Sequence, residues 1–146
     1  MKILPKKVFK LLPLLILVAG IGCASAASAE DYYADFGGQS GMTIVADHFL
    51  NRVLKDQRIA GYFAQANIPE LKKQLAIQFC MEVGGPCTYR GPSMKTVHQD
   101  MGVNEAAFNS LVEDLIYTMN QQHVPISAQN ALLKKLAPME KVIVTR

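Results

Sequence analysis

Between residues 31 and 144 the apolar positions recur at helical spacing. Ser40 reads as an N-cap, and behind it Ile44, Val45, Phe49, Val53 and Leu54 repeat with a helical period. Asn67 and Pro69 mark a second start, since proline is tolerated in a first turn. Leu71, Leu75, Phe79 and Val83 then return every fourth residue on one face, and Gly84-Gly85-Pro86 stops the helix. Asn104 is the expected cap of a long helix with Phe108, Leu111, Val112, Leu115, Ile116 and Met119 inward, broken at His123 to Pro125. Ser127 is the expected cap of the last helix, with Leu132, Leu133, Leu136 and Val142 inward and a kink at Pro138.

Shorter pieces fill the gaps. Asp31 to Asp35 reads as a short helix ended by Gly37-Gly38, and Asp56 to Phe63 as a turn or short helix. Residues 84–93 are rich in Gly and Pro and predict a loop, followed by a short helix from Ser93 to about Asp100 that Gly102 stops. No run alternates as a strand does, and Val142 to Val144 is accounted for as a helix end. The pattern therefore predicts an all-α domain. A short helix in a loop-rich stretch between long ones suits a flat cofactor held between them.

The N-terminus stands apart from this pattern. Lys2, Lys6, Lys7 and Lys10 precede an apolar run from Leu11 to Ile21, and small residues from Ala24 to Ala29 follow. That order is the layout of a secretory signal peptide, so residues 1–29 are expected to be removed and the domain to occupy 30–146. The apolar run is short for a membrane span, which argues against an uncleaved anchor. Cys23 offers another alternative, acylation as a bacterial lipoprotein and a tether to the membrane, although Gly20 stands where leucine is usual. The leader also explains the charge. Without its four lysines, 11 basic residues face 12 acidic ones, so the formal +3 of the whole chain is not a nucleic-acid patch. The expected location is the periplasm or another exported compartment.

Two cysteines remain in the domain, Cys80 and Cys87, with Gly84-Gly85 between them to turn the chain. An oxidising compartment favours a disulfide, the alternative being a buried thiol and an unrelated loop thiol. No further ligand stands near them at metal-site spacing.

Chemistry rests on the histidines. His98 lies in Met94-Lys95-Thr96-Val97-His98, flanked by apolar side chains. From spacing alone it is either a surface or capped residue or an iron ligand, since a haem needs a single protein ligand. His48 and His123 read as structural, the latter favourable near a helix C-terminus. There is no G-x-S-x-G, phosphate-binding glycine loop or H-E-x-x-H, and no carboxylate pair stands out, so a cofactor-free enzyme is poorly supported.

Several segments, taken in order, resemble the group 1 truncated haemoglobins. They are Phe36-Gly37-Gly38, Asp47-His48-Phe49, Arg52-Val53-Leu54, Tyr62-Phe63, Gly84-Gly85-Pro86, Tyr89-Arg90-Gly91, Met94-Lys95-x-Val97-His98, Val103 with Phe108, and Leu136-Ala137-Pro138. The resemblance implies a two-over-two helical sandwich around haem b, with His98 as proximal iron ligand. It places Phe49, Leu71, Phe79, Tyr89, Met94, Val97, Val103, Phe108, Leu111 and Leu115 on the haem-pocket wall, where ordinary core packing accounts for most of them equally well. It also offers Lys95 as partner of a haem propionate.

The distal side departs from the family's better-known oxygen binders. Leu50 stands where many carry a tyrosine that bonds bound O₂, and Leu75 where a glutamine is frequent. Besides Leu71, this leaves Gln74 as the nearby polar candidate. A hydrogen bond to O₂, which gains negative charge on iron, is worth roughly 1–3 kcal/mol. The resemblance therefore implies weaker retention of O₂, good binding of CO or NO, and five-coordinate ferrous haem, because glutamine is a poor iron ligand. It implies reversible binding of diatomic gases, with two alternatives. One is NO oxidation by bound O₂, which requires an unidentified electron donor. The other is a haem redox carrier without turnover. A helical interaction domain that has lost its haem is disfavoured by His98 in its full motif.

Overall fold

In a computed structural model that describes residues 31–146, the chain is all-helical, with no strand among the described residues. The proposed leader, with Cys23, lies outside them. The elements are α1 (Tyr32–Asp35), α2 (Gly38–Val53), a 3₁₀ turn (Ala60–Phe63), α3 (Ile68–Glu82), α4 (Met94–His98), α5 (Glu105–Gln121), α6 (Ile126–Leu136), a second 3₁₀ turn (Ala137–Met139) and α7 (Glu140–Ile143).

Side-chain caps fix four of the starts, the first by Asp31, which accepts from the Ala34 N–H. Asn67 accepts from the Glu70 N–H, Ser93 from Thr96 and Asn104 from Ala107, each satisfying an amide that the first turn leaves free. Two expected caps are corrected. Ser40 lies inside α2, which Gly37 opens from a left-handed conformation at φ 84° without a side-chain bond. Ser127 lies inside α6, whose N-cap is Pro125. In both cases the backbone turns into the helix before the serine is reached.

α2 packs chiefly on α3 and then on α5, while α6 lies against α1 and α3, and α7 against α4 and α5. The core runs through Met42, Val45, Ala46, Phe49 and Val53 of α2, Phe79 of α3, Leu115 and Met119 of α5 and Leu132 of α6. Val142, expected inward, is exposed, as are Ile44 and Leu54 of the repeating pattern in α2. Ile44 and Leu54 sit one step round the helix from Val45 and Val53, which take the core-facing positions. At the C-terminus Pro138 does more than kink the helix. It divides it into α6, a 3₁₀ turn and α7, and the changed register turns Ile143 inward instead of Val142. The tail then returns along the loop after α4, where the Thr145 and Arg146 N–H groups donate to the Val103 carbonyl.

Candidate functional site

The site is built from the short helix α4 and the half-covered faces around it. Five residues cannot hold a helix alone. The Ser93 cap, reinforced by its 2.8 Å contact with the Thr96 hydroxyl, supplies the first anchor. Upstream, the Tyr89 hydroxyl donates to the Pro92 carbonyl at 3.0 Å, and partial burial raises the pKa of that phenol above its ordinary value. At the far end His98 Nδ1 lies 2.7 Å from the Met94 carbonyl, one turn back. The carbonyl can only accept, so Nδ1 carries a proton, and in the neutral tautomer this selects, Nε2 holds the lone pair. Nε2 has no partner among the described residues. This is the arrangement that presents a neutral imidazole to a metal with its tautomer and ring orientation set.

The wall residues divide by burial. Phe49, Phe79, Val103, Phe108 and Leu115 belong to the buried core, with the Phe49 and Phe79 rings 6.2 Å apart. Leu75, Met94 and Leu111 pack against that core only partly covered, and Leu71 and Tyr89 are likewise half-buried. Val97, beside His98, is 41% exposed. Half-covered apolar side chains on α3, α4 and α5, together with a free imidazole nitrogen on α4, fit a flat apolar macrocycle coordinated from one side. It does not fit a protein-only metal site, and no cluster of three or more metal-ligating side chains exists among the described residues.

On the distal side Leu50 is fully buried in α2. Leu71 and Leu75 offer no donor, and the Gln74 amide is already given to Glu70 at 2.8 Å along the surface of α3. Lys95 is exposed and makes no ion pair among the described residues, so its ammonium is free for an anion. Cys80 and Cys87 are joined by a disulfide with Cα atoms 5.8 Å apart, tying the end of α3 to the loop that leads to α4. His48 is exposed and meets Gln122, and His123 is exposed after α5, so neither approaches a metal cluster.

Sequence reasoning missed two features. The Met94 carbonyl as anchor of His98 follows from the i−4 geometry of any helical histidine, so that signal was present. The pairing of Arg52 with Asp114, at 2.6 Å across 62 residues of sequence, had no local signal.

A model of the bacterial-like globin family matches residues 31–145. The chain is 30% identical over 119 residues to a group 1 truncated haemoglobin of Mycolicibacterium paratuberculosis, across 82% of this chain and 88% of that one. The structure superposes on a truncated haemoglobin of Tetrahymena pyriformis in its Fe(III) form with a TM-score of 0.74 and 25% identity, covering 79% of this chain and 98% of that one. A two-over-two haemoglobin of Synechococcus, solved in the cyanomet state with covalently attached haem, matches with the same TM-score of 0.74 at 20% identity, covering 80% and 99%. The helices described above make that two-over-two sandwich.

Proposed function

The chain belongs to the bacterial-like globin family, and from that membership we propose that it is an exported globin whose pocket retains CO and NO better than O₂. Membership carries the coarse part: haem iron is the cofactor, and diatomic gases are the general class of ligand. When bound, haem supplies an iron with one coordination position open to a small ligand. The chain's own residues do the rest. His98 Nε2 would hold the iron, and the Met94 carbonyl fixes the ring and raises its basicity. Lys95 would face a propionate, and the half-buried leucines would exclude water from the macrocycle.

One observation carries the preference among gases. The distal wall has no donor to spare, because Leu50, Leu71 and Leu75 are apolar and the Gln74 amide is spent on Glu70. O₂ gains more from a hydrogen bond than CO does, so the loss of roughly 1–3 kcal/mol falls mainly on O₂. Export is supported by the basic, apolar and small-residue order of residues 1–29, and by a disulfide of the kind that persists in oxidising compartments.

The test is Leu50→Tyr in the haem-loaded protein, read by stopped-flow O₂ dissociation. A restored hydroxyl is expected to slow dissociation by about tenfold or more while changing CO dissociation little. An unchanged O₂ rate would sink the donor-poor reading of the pocket.

A further inference from the structure

The segment that leads into α4 is weakly held by its own backbone. Up to Gly85 the chain is fixed to α3, the Gly84 N–H donating to the Met81 carbonyl at 3.1 Å and the Gly85 N–H to the Cys80 carbonyl at 2.8 Å. Beyond Gly85 this support stops. From residue 86 to residue 92 no backbone group bonds to another backbone group among the described residues. The Tyr89–Pro92 bond is internal to the segment. α4 itself contributes no buried residue and packs chiefly on α7. The Cys80–Cys87 disulfide is therefore what carries the fixed end of α3 across to the stretch that presents His98.

The two sulfurs are not equivalent. Cys80 is fully buried in the core, whereas Cys87 is half-buried between the exposed residues Pro86 and Thr88. An incoming thiolate meets Cys87 first, which makes Cys80 the leaving group. In apolar surroundings a thiolate is disfavoured, so Cys80 takes up a proton as it leaves. The loop sulfur also has an acceptor within reach. Cys87 Sγ lies 3.4 Å from Gln39 Oε1 at the start of α2, which a disulfide sulfur cannot use because it carries no hydrogen and a thiol can.

Building on His98 as the iron ligand, we propose that Cys80–Cys87 is a thiol-exchange site whose reduction loosens the protein's hold on haem. The reductant is a dithiol, small or protein-borne. One of its thiolates attacks Cys87 Sγ, the bond to Cys80 breaks, and a mixed disulfide forms. The second thiol of the reductant then displaces Cys87 and closes the reductant's own disulfide. Two electrons and two protons pass in all, and Cys80 and Cys87 end as thiols. With the tie cut, keeping His98 on iron requires ordering a loop that the disulfide otherwise holds in place.

The experiment starts from the oxidised, ferric haem-loaded protein. Dithiothreitol is added without denaturant, and new thiols are alkylated and located by mass; Cys80 and Cys87 are expected to be labelled. Haem transfer to excess apomyoglobin is then timed. Reduction is expected to speed it by about tenfold, the scale of leaving one loop residue to be ordered. Cys87→Ser, which has no disulfide, is expected to show that faster rate with or without the reductant. Leu132→Ala removes a fully buried side chain of α6 and serves as the control for lost stability alone, with a rate expected near that of the oxidised wild type. A disulfide that resists dithiothreitol in the folded protein, equal transfer in both thiol states, or equal acceleration by Leu132→Ala would each overturn the proposal. His98→Ala separates this inference from the reading beneath it. Transfer from His98→Ala as slow as from the wild type would remove both, whereas a rate that depends on His98 and ignores the thiol state overturns the exchange site alone.

Discussion

At the scale of single residues, sequence spacing reveals donors and acceptors one helical turn apart and hides those that meet across elements. The Met94 carbonyl that takes the His98 Nδ1 proton was not read from the sequence, although Met94 stands four residues earlier in a short helix and the signal was there. Gln74 was legible as a polar group on α3, and Glu70, its i−4 partner, shows why it is committed to the surface. Asp47 was not legible as an ion-pair partner, since Lys72 reaches it from another helix at 2.6 Å. That hydrogen bond is the main reason the Asp47 pKa lies below its ordinary 3.8. A carboxylate depressed in the folded state stabilises above its unfolded pKa, and this contribution is lost as pH falls through the folded value. Asp47 is 44% exposed, so solvent screens the pair and its worth is under about 1 kcal/mol. Asp47→Asn is therefore expected to lower stability by less than about 1 kcal/mol at neutral pH, with the difference closing in acid. Urea unfolding of both proteins at neutral and acid pH measures this, and a difference that persists in strong acid would contradict the assignment.

At the scale of elements, the long amphipathic helices were readable because period and caps agreed, as at Asn67 and Asn104. The failures came where backbone geometry outranked side-chain cues. Gly37 turns the chain into α2 ahead of Ser40, and Pro138 resets the register after α6. The α1–α2 junction makes a sharp prediction. In an open helix Gly→Ala gains about 1 kcal/mol. At Gly41 an added Cβ would collide with the Phe36 carbonyl oxygen, so Gly41→Ala is expected to destabilise by about 1–3 kcal/mol. A stabilising result in chemical denaturation would mean that α1 does not dock as described. The disulfide is the second element-level device. It closes a short loop, with a sequence separation of 7, between α3 and the segment carrying α4. Chain entropy for a loop of that size gives about 2 kcal/mol. Reduction is expected to lower unfolding stability by about that amount in urea titrations with and without a phosphine reductant. No change on reduction would show that the tie does not constrain the unfolded chain.

At the scale of the molecule, the two-over-two sandwich was legible because an ordered set of short motifs runs along nearly the whole domain. The Arg52–Asp114 pair that joins α2 to α5 was not, since its two residues lie 62 positions apart in sequence. The fold leaves one imidazole nitrogen of α4 free, and the proposed function requires that nitrogen to meet iron. The most direct measurement is the ferric, ferrous and CO spectra of residues 30–146 reconstituted with haem, for the wild type and for His98→Ala. Stoichiometric haem, a five-coordinate ferrous spectrum in the wild type, and loss of that spectrum in His98→Ala are expected. Haem uptake that is absent, or indifferent to His98, would contradict it.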